Sequence, residues 1–292
     1  MPPFERTLLE VPTGYMACWR SPQNAGKPPL LMGHGNGMSA LCQVKFMSLL
    51  SDRFDVYGLD FRGHGATADR LPIPDLPKDP WKFYQDDLNF VIRQHFNGRV
   101  AYAGHSLGGV TALRIAEQNP DMFSHLIAID PAILPTSLAL IYPLVKRSNW
   151  LSRRNKLYLG ALRRRAHWPD NAAAVQYFTG RKAFSTWPKS AIIAYVNSCL
   201  SKDETGELAL KCPREWEART FRYVASEVAW LLRKVSCKTL IVRADSGSIF
   251  PKKLHLGPEM TSQTVSGTHF VHLEKPKEIA NLVLQFVGKG LA

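Results

Sequence analysis

One six-residue run constrains this chain more than any other: Gly104-His105-Ser106-Leu107-Gly108-Gly109. An apolar stretch precedes it at residues 99–104. A helical pattern follows from Leu107 to Gln118 and is stopped by Asn119-Pro120. A strand must therefore pass into a helix with almost no loop. So sharp a turn brings backbone segments together at 104 and 108, and both positions are glycine. It also strains the residue at its tip, Ser106, and holds it at the end of a sheet beside the free N–H groups of the helix start. Attack on a carbonyl needs such a hydroxyl, with N–H donors placed where negative charge grows.

The rest of the chain supplies a sheet for this turn. Strand-like runs at residues 15–20, 28–33, 54–60, 125–130 and 238–243, with a weaker one at 261–266, join the run at 99–104. Helical periods lie at 81–96, 107–118 and 276–288. This alternation predicts an α/β fold with a mainly parallel sheet and helices on both faces. Residues 131–230 break the pattern. They read as helical and loop-rich, hold Trp150, Trp168, Trp187, Trp216 and Trp230, and are too long for a simple connection. The expected organisation is a core of residues 1–130 and 231–292, with a helical cap, 131–230, inserted between two strands.

Three further segments flank the turn in order: His34-Gly35-Asn36-Gly37, Asp60-Phe61-Arg62-Gly63-His64-Gly65 and Gly267-Thr268-His269-Phe270. On these residues the chain resembles the α/β-hydrolase superfamily, its esterase- and lipase-like members with a serine nucleophile. The resemblance spans residues 28–131 and 232–288. It implies Ser106 as nucleophile and His269 as general base, with His272 as the competing histidine. It implies an oxyanion hole from the N–H groups of Asn36 and Leu107, with the Asn36 side chain as a second candidate contact to substrate. Gly35 and Gly37 let the loop pass over the sheet, as Gly104 and Gly108 do for the elbow. His34, His64, His105 and Asp60 read as structural. Serine at 106 separates the chain from the dehalogenases and epoxide hydrolases of this fold, which need aspartate there. No cofactor or metal is implied.

The acid departs from the family pattern. Its usual position falls at 247, which is glycine. Asp130, just before Pro131, and Asp245, after the strand at 238–243, both satisfy the order Ser, acid, His. Asp130 is preferred, Asp245 stays open, and so does a dyad without an acid.

The charge of +13 is concentrated. Residues 131–230 carry a net +9, and within 131–183 ten Lys and Arg face a single acid, Asp170. A basic, aromatic cap points to an anionic lipid surface or an anionic substrate, or to a solvated face. Nucleic acid is not expected, since no recognition motif accompanies the charge. The five cysteines form no C-x-x-C pair, which points to a reducing compartment. The N-terminus shows no signal-peptide core. The most apolar stretch, residues 132–145, falls short of the roughly 20 residues of a bilayer span. A cytoplasmic location with peripheral membrane contact is expected. Together these features predict a cofactor-independent serine hydrolase acting on a small-molecule acyl ester with an apolar, medium or long acyl chain. The same residues suit a carbon–carbon bond hydrolase, a thioesterase or a perhydrolase. From another class, a non-catalytic binding protein of this fold fits the displaced acid.

Overall fold

A computed structural model describes residues 4–74, 79–148, 154–248, 250–251 and 255–288. The chain opens with β1 (Glu5–Val11), β2 (Gly14–Arg20) and β3 (Pro29–Gly33), then α1 (Val44–Leu50), β4 (Asp55–Leu59) and α2 (Pro80–His95). β5 (Val100–His105), α3 (Leu107–Gln118) and β6 (Phe123–Ile129) follow. The segment after β6 carries α4 (Thr136–Arg147), α5 (Lys156–Arg163), β7 (His167–Trp168), α6 (Asn171–Thr179) and α7 (Lys189–Cys199). It continues through β8 (Leu200–Lys202), β9 (Leu208–Leu210), α8 (Arg214–Arg222) and α9 (Val228–Leu231). β10 (Thr239–Ala244), β11 (Met260–Val265), α10 (Val271–Glu274) and α11 (Pro276–Gly288) complete the chain.

Eight strands form one sheet in the order β1-β2-β4-β3-β5-β6-β10-β11. From β4 to β11 all neighbours are parallel, while β2 joins β4, and β1 joins β2, antiparallel. Parallel strands covered on both faces bury successive side chains on opposite sides. Leu31, Tyr102, Leu126 and Ile241 accordingly point into one core with Leu88, Val91 and Val110 of α2 and α3. Leu30, Met32, Ile127 and Val242 point into the other, against Phe46 and Met47 of α1 and Ile279 and Val283 of α11. Each fully buried Leu, Ile or Phe contributes about 1.5–3 kcal/mol. The sheet thus fixes the strand ends on which the site is built.

The segment between β6 and β10 differs from its expected form in two respects. It is not only helix and loop: β7, β9 and β8 form a small antiparallel sheet, in strands too short to show alternation. Its apolar side chains also divide between two cores. Trp168, Phe178, Trp187, Tyr195 and Val196 make a third core, joined by Met38, Cys42 and Leu273 from the surrounding fold. Cys212, Trp216, Val228 and Ala229 instead pack into the α2–α3 side of the main core, because their apolar side chains face that layer. Trp150 and Arg153, which contribute to the segment's aromatic and basic content, lie outside the described residues.

Candidate active site

Ser106 occupies the turn between β5 and α3 with φ 49° and ψ −106°, a conformation that costs a non-glycine residue about 1–3 kcal/mol. The surrounding structure enforces it. The Ser106 N–H donates to the Ile129 carbonyl at 3.0 Å, and the Gly108 N–H donates to the His34 carbonyl at 3.1 Å. A Cβ at Gly104 would lie 2.5 Å from the Gly108 carbonyl carbon, and one at Gly108 would lie 2.7 Å from that of Gly33. Both glycines are therefore required by close backbone approach.

Asp130 follows β6, the neighbour of β5, and also has a left-handed backbone, with φ 41°. Its carboxylate is fully buried and fully engaged. Oδ2 lies 2.6 Å from His269 Nδ1, while Oδ1 accepts from the Ala244 N–H at 3.1 Å and the Ser248 hydroxyl at 2.5 Å. Asp245 is elsewhere: it is exposed, and its Oδ1 accepts from the Gly267 N–H at 3.0 Å. The Asp245 alternative is thereby corrected. This residue closes the turn that leads to His269 and does not hold the histidine. Ser248 is a member of the site that sequence reading misses, because a serine in a Gly/Ser turn carries no distinguishing pattern.

His269 follows β11, and its carbonyl accepts from His105 Nε2 at 2.8 Å, tying it to the residue before Ser106. Ser106 Oγ makes no hydrogen bond among the described residues, so its approach to His269 is not closed here. His272 is fully buried, and both its ring nitrogens lack partners. Burial, with His269 nearby, pushes its pKa down to about 3. It stacks against His105 with ring centroids 4.2 Å apart and is not placed with Asp130.

The loop holding Asn36 is braced from three sides. His34 accepts the Phe61 N–H at Nε2, and burial lowers its pKa to about 4. His64 Nδ1–H donates to the Arg62 carbonyl, leaving Nε2 to accept the Gly37 N–H at 3.0 Å. Burial and neighbouring His34 lower the His64 pKa to about 3. Asp60, fully buried, accepts from the Ala40 and Ala66 N–H groups and the Trp19 indole. The N–H groups of Asn36 and Leu107 find no acceptor among the described residues. The Asn36 side chain is tied back to the inserted segment: Nδ2 donates to the Glu217 carbonyl at 3.0 Å. Gly35 and Gly37 carry the loop past the His105 ring and the Glu217 carboxylate.

A cavity of about 370 Å³ is lined by Asn36 and Gly37 on one side and by α5, α6 and α8 on the other. Leu157, Phe178, Phe184 and Phe221 give it apolar walls, and Lys156, Arg165 and Arg181 give it cations. Phe270 reaches it, whereas Ser106 and His269 do not line it. Arg164 is neutralised in its wall, with Nη1 2.6 Å from Glu217 Oε2 and Nη2 2.5 Å from the Tyr195 hydroxyl. A larger cavity, about 550 Å³, lies at the opposite ends of the parallel strands, against Phe54, Val100 and Phe123. Ligands of open parallel sheets bind at the carboxyl ends of strands, so the smaller cavity is the one that belongs to this site. Among the described residues, no group of three His, Cys, Asp or Glu is placed to hold a metal ion. No helix among them is long and apolar enough to cross a membrane.

The family model for the alpha/beta hydrolase fold matches residues 28–276. The chain is 26% identical over 270 residues to the 2-(acetamidomethylene)succinate hydrolase of Mesorhizobium japonicum, covering 89% of this chain and 88% of that one. It is 28% identical over 243 residues to the human (lyso)-N-acylphosphatidylethanolamine lipase, covering 77% and 67%. Among solved structures, an E-2-(acetamidomethylene)succinate hydrolase superposes with a TM-score of 0.78 at 23% identity over 98% of this chain and 99% of the other. The thioesterase domain of a curacin biosynthetic pathway gives 0.75 at 16% identity over 97% and 99%. Strand order, the strained turn after β5 and the matched family model agree: this chain belongs to the α/β-hydrolase family.

Proposed function

We propose that the protein is a cofactor-independent serine hydrolase that cleaves an acyl ester through an acyl-enzyme. The observation that carries this reading is the 2.6 Å contact between Asp130 and His269, on loops bonded to the strained Ser106 turn. Ser106 Oγ attacks the ester carbonyl while His269 Nε2 takes its proton. Asp130 holds the ring through Nδ1–H and stabilises the imidazolium. The oxyanion sits on the Asn36 and Leu107 N–H groups. The alcohol leaves with the proton from His269, and water, activated by the same ring, returns Ser106 and releases the acid. The aromatic and aliphatic walls of the 370 Å³ cavity suit an apolar acyl chain.

The test is labelling by a fluorophosphonate probe, with turnover of p-nitrophenyl esters of increasing acyl length. Wild type labels at Ser106 and turns over the esters; Ser106→Ala does neither. A wild-type protein that is inert to the probe and to every ester overturns the reading.

The basic segment is read as the contact to an anionic lipid surface. What favours this is α4, whose Leu140, Ile141 and Leu144 side chains are 66%, 52% and 66% exposed, with Leu157 of α5 exposed nearby in sequence. Isolated exposed apolar residues are ordinary, but a cluster within one basic segment fits insertion into a headgroup layer.

A further inference from the structure

Two cysteines distant in sequence meet where the inserted segment rests on the main fold. Cys42 lies in a 3-10 turn, Ala40–Gln43, a few residues beyond the Asn36 loop. Cys199 is the last residue of α7. Their sulfurs are 3.4 Å apart, and both thiols are free and buried. Ser39 and Ser198 brace the contact, with hydroxyls 2.6 Å apart. A disulfide bond is about 2.05 Å long, so closure asks the sulfurs to approach by little more than 1 Å.

A second observation bears on access. Beside Cys42 is a cavity of about 90 Å³, lined by Cys42, Gln43, Phe46, Ala191, Ala194 and His272. A single water needs only roughly 15 Å³ of such space. Gln43 Nε2 and both ring nitrogens of His272 are buried there without protein partners. A pocket with that many unspent polar atoms suits a small hydrogen-bonding molecule, and hydrogen peroxide is of that size and kind.

We propose that Cys42 and Cys199 are an oxidation site, converted by peroxide into a disulfide that fastens the inserted segment to the fold behind the Asn36 loop. Cys42 is the sulfur oxidised first. Burial opposes ionisation of both thiols, but hydrogen bonds from the Cys199 thiol and the Ser39 amide offset this at Cys42 and draw its pKa below the ordinary value. Cys199 is pushed well up. The Cys42 thiolate attacks one peroxide oxygen; the S–O bond forms, the O–O bond breaks, and the other oxygen leaves as water with the thiol proton. The Cys199 sulfur then attacks the Cys42 sulfur as its thiol proton passes to the departing oxygen; the S–S bond forms, the S–O bond breaks, and a second water leaves. Two electrons pass from the sulfur pair to one peroxide. This chemistry does not depend on the hydrolase reading.

The experiment treats the folded protein with hydrogen peroxide, removes the excess with catalase, and counts thiols by alkylation in denaturant. Two of the five thiols are lost. A non-reducing digest yields one peptide pair joined through Cys42 and Cys199, and dithiothreitol restores both thiols. Cys199→Ser abolishes the cross-linked pair, whereas Cys237→Ser retains it. The proposal is overturned if Cys42 and Cys199 both remain alkylatable after peroxide, or if the cross-link joins other cysteines.

Discussion

The side-chain amide of Asn36 donates to the backbone carbonyl of Glu217, 181 positions later, at 3.0 Å. The loop proposed to supply an oxyanion donor is thus fastened to α8, and its geometry depends on the inserted segment being seated. Asn36→Ala removes the fastening and keeps the N–H. Asn36→Pro also removes the N–H. Loss of one oxyanion donor costs about 10²–10³ in rate, so the proline variant loses that much in kcat. The alanine variant retains the donor and loses less than about tenfold. Steady-state kinetics on an ester that wild type turns over measures both.

The two candidate acids separate by the same assay. Asp130→Asn leaves His269 with an amide in place of a buried carboxylate, and kcat falls by about 10⁴. Asp245→Asn touches only the Gly267 turn, and kcat stays within about threefold of wild type. Equal losses in the two variants contradict the assignment.

The Ser248 hydroxyl donates to Asp130. Ser248→Ala removes the 2.5 Å donor to a fully buried carboxylate and leaves that oxygen with the Ala244 N–H alone. A hydrogen bond to a buried charge contributes about 1.5–3 kcal/mol. Urea unfolding at neutral pH therefore gives an unfolding free energy lower by that amount, seen as a lower midpoint with an unchanged m-value.

Stability falls steeply in mild acid. Burial depresses the pKa of His34 to about 4 and of His64 and His272 to about 3, and that of His105 well below its ordinary value. Unfolded, each titrates at 6.5. Between these values the unfolded chain binds more protons than the folded one, so stability rises with pH and is lost as pH falls from 6.5 toward 4. Unfolding at pH 5 takes up roughly four protons from solvent onto these groups. Urea midpoints between pH 5 and 7 give the slope; a flat profile contradicts the burial of the four rings.

The proposed membrane contact is read by vesicle co-sedimentation. Binding is expected to anionic vesicles, weakened by salt, and to be lost in Leu140→Glu/Leu144→Glu while esterase activity on a soluble ester persists. Equal binding to neutral and anionic vesicles removes the electrostatic part of the reading.

Much of the core was legible because its signals are local. The helices at 107–118 and 276–288 have the bounds expected from Asn119-Pro120 and from Pro276 at the helix start. The Ser106 turn could be read because two glycines and a serine encode one steric solution. The choice between Asp130 and Asp245 could not, because it depends on which side chain points back along the sheet. The left-handed backbone at Asp130 turns it toward His269, and no spacing records that angle. β1 is missed for a different reason: it is a mostly exposed edge strand whose pairing with β2, not its own pattern, makes it a strand. The strands β7–β9 are two or three residues long, below the length at which a period is visible.

The left-handed backbone at Ser106 sets two demands against each other at one position. Glycine holds φ 49° without the penalty that serine incurs, so Ser106→Gly relaxes the turn by about 1 kcal/mol and melts higher than wild type. The most reactive hydroxyl proposed for this protein therefore sits where folding alone prefers no side chain. Under selection for heat tolerance without selection for turnover, position 106 is the first place the chain would surrender its chemistry.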